Sequence, residues 1–171
     1  MSIYQRTTRE CSLQEITPEL RQALQAYFQS HHLGNLETEA LITCETISEK
    51  KPGGWIPDWL DPKTDESVRT CIVLTDRSLI WARKGDLPNI NVAGAELENI
   101  VARLSVSLFS KNLGLDIFGQ IEGSRGNIHG VIALGPEPDS QKFCDQVFKA
   151  VNKINPPPAR KWPRWMGRTK E

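Results

Sequence analysis

The chain has 171 residues, 39% of them hydrophobic and 25% charged, and its 21 cations are balanced by 21 acids. That is enough chain to bury a core without staples, and a neutral total argues against nucleic-acid binding by bulk charge. No run of eighteen apolar residues occurs, so no membrane-spanning helix is expected. Residues 1–6 hold no apolar signal segment, which makes the cytoplasm the expected compartment.

Residues 1–16 are polar and mixed. Thr17-Pro18-Glu19-Leu20 then reads as a helix start, with Thr17 as cap, Pro18 in the first turn and Glu19 at the positive end of the dipole. Leu20, Ala23, Leu24, Tyr27 and Phe28 form one apolar stripe, predicting a helix over 18–33 that Gly34 ends in a left-handed position. The stripe must be covered by the sheet, by a neighbouring loop or by a second copy. Residues 39–49 read as a strand. Residues 50–67 hold Pro52, Gly53, Gly54, Pro57 and Pro62, which break regular structure, yet also Trp55 and Trp59. Residues 68–84 are a hairpin: two apolar, β-branched runs flank the polar turn Thr75 to Ser78.

After a break at 85–88, Ile90 to Val92 resume a strand, and residues 94–99 could pass for a helical turn. Ile100, Ala102, Leu104, Val106 and Leu108 alternate with polar residues, a half-buried strand. Turns at 111–114 and 123–127 bracket a strand with Leu115, Ile117 and Gly119, and a last strand spans 128–134. About seven strand-sized segments at short intervals argue antiparallel connections and a curved sheet. Asp139 or Ser140 caps a helix over 140–154 carrying Phe143, Val147, Val151 and Ile154, which Pro156-Pro157-Pro158 stop. Cys11, Cys44, Cys71 and Cys144 are scattered without a C-x-x-C pair, a spacing that suits isolated thiols better than two disulfides.

The run from Cys71 through Leu74-Thr75-Asp76-Arg77-Ser78-Leu79 to Trp81 resembles the second and third strands of bacterial pleckstrin-homology-like and GRAM-type domains. The later order of strands and the final helix matches over roughly 39–155. The resemblance implies a mainly β fold: a seven-stranded antiparallel barrel or sandwich capped by a C-terminal helix, here with an extra N-terminal helix. The chain then divides into an N-terminal segment 1–37, a pleckstrin-homology-like domain 38–155 and a tail 156–171.

That family is known for phosphoinositide binding at its first hairpin, which needs clustered cations. Lys50, Lys51 and Arg69 are the candidates here. Residues 52–67 carry Asp58, Asp61, Asp65 and Glu66 against Lys63 alone, however, and would repel such a ligand. Trp55 and Trp59 offer an aromatic patch for a protein partner, or else fold back to pin their loop. In the tail, Arg160, Lys161, Trp162, Arg164 and Trp165 interleave cations with indoles. Residues 160–171 carry a net +4, so the other 159 carry −4. The tail suits weak contact with an anionic membrane or stacking on single-stranded nucleic acid, or it docks on the body.

His31 and His32 are adjacent on a helix end and make a poor chelate, and no metal site is expected. No phosphate loop, Rossmann glycine pattern or G-x-S-x-G nucleophile motif occurs, so no cofactor is expected either. The sequence thus points to a non-catalytic binding or scaffolding module acting through a protein partner or self-association. A membrane-peripheral adaptor is the runner-up, and an enzyme comes third.

Overall fold

A computed structural model describes residues 4–51, 65–106, 113–122 and 126–156. Trp55, Trp59 and the tail residues Arg160, Lys161, Trp162, Arg164 and Trp165 lie outside them. The elements in chain order are β1 (Tyr4–Glu10), α1 (Pro18–Ser30), the short α2 (Leu36–Glu39), β2 (Ile42–Lys50), β3 (Ser67–Leu74), β4 (Ser78–Lys84) and β5 (Ile90–Glu96). A 3₁₀ turn (Leu97–Asn99) leads to β6 (Ile100–Val106), β7 (Leu113–Gln120), β8 (Asn127–Ala133) and α3 (Pro138–Ile154). The strands make two antiparallel sheets, one ordered β1-β2-β3-β4-β5 and one β6-β7-β8. The chain is mainly β with a closing helix, as expected, but among the described residues no ladder joins the two sheets into a closed barrel.

The hairpin forms where the sequence places it. Thr75 Oγ1 accepts from the backbone N–H of Arg77 (3.2 Å) and of Ser78 (2.9 Å), which closes the turn locally. The flanking runs are continuously apolar because β3 and β4 are buried on both faces. On one face Cys71, Val73, Ile80 and Ala82 meet Leu20, Leu24 and Phe28 of α1. On the other, Ile72, Leu74 and Leu79 meet Leu115, Ile117 and Ile132 of the small sheet and Phe143, Val147 and Val151 of α3. The α1 stripe is therefore covered by the chain's own large sheet.

Several boundaries differ from the sequence expectation. The described residues hold eight strands, the extra one being β1, whose alternation of Tyr, Arg and Thr carries little hydrophobic signal. Thr17 sits at the α1 cap position but makes no side-chain cap bond. The helix ends three residues before 33, and His32, not Gly34, supplies the left-handed residue of the cap, at φ 53°. Leu33 N–H donates to Phe28 O (3.0 Å) and His32 N–H to Gln29 O (3.3 Å), a Schellman pattern. The strand expected from 39 starts at Ile42, after α2. Residues 94–96 continue β5, so only Leu97–Asn99 turn. Along β6, Ile100 is buried but Leu104 is already 37% exposed. Helix α3 begins at Pro138, one residue before the earlier of the two expected caps, and Ile154 at its end is 38% exposed.

The outer edge of β1 is held by the start of α3. Thr8 N–H donates to Glu137 Oε2 (2.8 Å) and Glu10 N–H to Asp139 Oδ2 (2.9 Å), while Gly135 N–H donates to Thr8 Oγ1 (2.7 Å). Two carboxylates thus take the place of a neighbouring strand.

Candidate functional site

Two clefts of opposite charge lie on the two faces of the large sheet. The first, about 310 Å³, opens where the C-terminal turn of α1 meets the ends of β4, β5 and β7. Its wall is a three-residue cluster. The Tyr27 and His31 rings stack with centroids 4.0 Å apart. The Tyr27 hydroxyl donates to Glu122 Oε2, and His31 Nε2 lies 2.5 Å from Glu122 Oε1. His31 Nδ1 is 2.8 Å from the Tyr27 carbonyl oxygen, which fixes the ring against its own helix. Glu122 N–H donates to Gly94 O (2.9 Å). Gly94 is required here, because a Cβ would run into the Tyr27 hydroxyl. Ser78, Glu96, Asn99 and Gln120 complete the lining. With Glu96, Glu122 and the negative end of α1 nearby, this cleft disfavours anions.

The second cleft, about 240 Å³, lies between the two sheets at the end away from the hairpin turn. The register brings Arg6 opposite Ser48 and Thr70 opposite Arg83, and Trp81 opposite Ile72. All of these project from the inner face of the large sheet toward Val131, Ile132 and Ala133 of β8. The Arg6 guanidinium lies 5.8 Å from the Tyr4 ring centroid. Burial lowers the Arg6 pKa from its ordinary value, opposed by the nearby Tyr4. Arg83 Nη2 lies 3.8 Å from Asp65 Oδ2, beyond hydrogen-bond reach.

The sequence-predicted cations are dispersed. Arg69 and Lys50 occupy strand positions of opposite parity, hence opposite faces of the large sheet. Arg69 Nη1 stands 3.8 Å from Glu45 Oε1. Glu45 is 1% exposed and also accepts from Arg9 Nη2 (2.9 Å), so Arg69 flanks a buried carboxylate. Lys51 is exposed at the end of β2. Among the described residues, no group of three His, Cys, Asp or Glu side chains is placed to hold a metal ion, and no helix is long and apolar enough to cross a membrane. All four cysteines are free and buried, and desolvation raises the thiol pKa of Cys11 and Cys144 to about 11 and that of Cys44 to about 12. Cys71 shifts the same way for the same reason.

Neither cleft was named from the sequence. Trp81 and Arg83 carry a signal in retrospect, because the inward period of β4 runs Leu79, Trp81, Arg83 and so turns from apolar to cationic. Tyr27 and Glu122 are 95 residues apart and carry none. No family model, no curated protein and no solved structure matches the chain.

Proposed function

We propose that the chain is a non-catalytic binding module built on a pleckstrin-homology-like arrangement, with β1, α1 and α2 as an addition to it. One observation carries the reading. With β1 set aside, four strands pair in sequence order, three more pair in sequence order, and a helix closes the domain. That is the order implied by the resemblance over 39–155. Fold alone does not assign function, and the binding half of the reading leans on two preformed clefts lined by polar and charged groups. The favoured ligand class is a protein partner. Self-association loses one motive, because the α1 stripe is covered within the chain.

The test is native co-purification of the full chain, read together with light scattering. A stoichiometric partner that survives washing supports the module. A chain that runs alone and turns over a substrate in a broad hydrolase and transferase screen overturns it.

A further inference from the structure

The outer face of the three-stranded sheet departs from what a solvated face carries. An antiparallel sheet with one wet face turns polar residues outward. Here the register sets Val101, Phe118 and His129 in one row across β6, β7 and β8, with Arg103 in the next outward position along β6. Val101 and Phe118 are exposed. Phe118 stacks on His129, and Arg103 stands over the Phe118 ring, so the row is an apolar and aromatic ledge. A groove of about 590 Å³ runs along it, lined by Val101, Phe118, Gly119 and His129 and, at one end, by Glu98 and Asn155. That volume falls within the roughly 300–1,000 Å³ of sites that enclose a drug-sized ligand.

Helix α3 ends at the mouth of this groove. The Asn155 side-chain amide donates to Leu97 O (3.1 Å) and Glu98 O (2.7 Å), which fixes the point where the chain leaves the helix. The chain beyond Pro156 lies outside the described residues, and it starts from this mouth.

We propose that residues 157–165 occupy the groove, with the Trp162 indole over Val101 and Phe118 and the Trp165 indole over the Arg103 guanidinium. Reach allows it. A polyproline-type run, which Pro156-Pro157-Pro158 and Pro163 favour, advances about 3.1 Å per residue. The seven residues from Asn155 to Trp162 then span about 22 Å, close to the roughly 23 Å length of a seven-residue strand such as β6. Spacing matches as well. Such a run has three residues per turn, so Trp162 and Trp165 share one edge, about 9 Å apart. Val101 and Arg103 are two residues apart on one face of β6, about 7 Å. Charge agrees in sign, because Glu98 lies at the mouth where Arg160 and Lys161 enter. An anionic membrane and a single-stranded nucleic acid compete for the same indoles. The groove has the advantage of being tethered to them, at an effective concentration on the order of millimolar. The proposal rests on this face and this tail alone, and it stands whether or not the chain binds a protein partner.

The experiment uses the full chain labelled with ¹⁵N, as wild type, Trp162→Ser and Val101→Asp. Trp162→Ser should move the amides of Val101, Arg103 and Phe118 and leave those of Tyr27 and Ile80, near α1, in place. Val101→Asp should move the Trp162 and Trp165 indole N–H signals and speed exchange of the Trp162 indole proton with water about tenfold. Should Val101→Asp fail to fold, Trp162→Ser still decides. All shifts should persist on dilution. Unchanged Val101 and Phe118 amides in Trp162→Ser would overturn the proposal, as would changes centred on another surface. Loss of the contact on dilution would place the tail on a second copy and overturn it too. Vesicles of phosphatidylserine and phosphatidylcholine, and an oligothymidylate, are then added. Either probe should bind Val101→Asp more tightly than wild type, because the groove no longer competes for the indoles. Equally tight binding to both chains would mean that the tail is free in both, and would overturn the proposal.

Discussion

The two sheets are built from similar strands and live in different surroundings. The five-stranded sheet is covered on one face by α1 and on the other by the small sheet and α3. Among the described residues, the three-stranded sheet is covered on its inner face only. Its outer face carries Val101, 51% exposed, and Val131, 56% exposed, with Phe118 stacked on His129 at 4.3 Å and Arg103 over the Phe118 ring at 5.6 Å. The difference shows in sequence texture. A strand buried on both faces reads as an unbroken apolar run, and one buried on a single face alternates. Stability should follow the same division.

The largest expected loss is at the residue the two sheets share. Phe143 is fully buried between them, so Phe143→Ala should cost about 3–5 kcal/mol in denaturant unfolding. A loss under about 1 kcal/mol would mean that α3 is not the common floor of the core. Next comes Ile80, buried under α1. Ile80→Ala should cost about 2–5 kcal/mol, while α3 holds its side of the core. Equal costs at Ile80 and at the exposed Val131 would erase the comparison.

The thiols sharpen it through pH. Cys11, Cys44 and Cys71 belong to the large sheet or its cover, and burial raises each thiol above the ordinary 9.0, to about 11 for Cys11 and about 12 for Cys44. A folded pKa above the unfolded one means that the folded chain holds the proton more tightly. The stabilisation is therefore complete below pH 9 and is lost as pH rises through the folded values, toward about 11 to 12. Thermal melts should be flat in this respect up to pH 9 and fall beyond it, and Cys44→Ala should reduce that slope. Near neutral pH the native thiols should resist alkylation until the chain unfolds.

A smaller effect is expected at Gly94, on the α1 face. Gly94→Ala should cost about 1–3 kcal/mol by overpacking against the Tyr27 hydroxyl. Tyr27→Phe in the same chain should recover part of it, and a double-mutant cycle measures the coupling. The smallest is Val131→Ser on the bare face, within about 0.5 kcal/mol.

Much of the topology was legible because period and turn chemistry are local. The hairpin announced itself through two-sided burial and Thr75, and α3 through Phe143, Val147 and Val151. Strand β1 was not legible. Its Thr8 pairs with Thr46 Oγ1 at 2.8 Å, and its Arg6 faces a polar cleft, so hydrophobic period had nothing to report. The helix cap was misplaced because glycine is the usual left-handed residue, and here His32 adopts that conformation two positions earlier. Both clefts depend on long-range register. Arg6 and Arg83 belong to strands separated by two others, and no window of the sequence holds them together.

The carboxylate clamp on β1 sets a timing problem during synthesis. Thr8 and its acceptor Glu137 are 129 residues apart. At roughly 5–20 residues per second, a ribosome needs on the order of 6–26 s between them. Through that interval β1 has an unclamped edge, open to pairing with another nascent chain. A clamp so distant in sequence also raises the entropy cost of closure and slows the final folding step. Refolding after dilution from denaturant should therefore slow little when Glu137 and Asp139 are replaced by Gln and Asn, because closure still has to be reached. Unfolding should quicken, and more of the variant should be lost to aggregates, because the edge is then held less firmly.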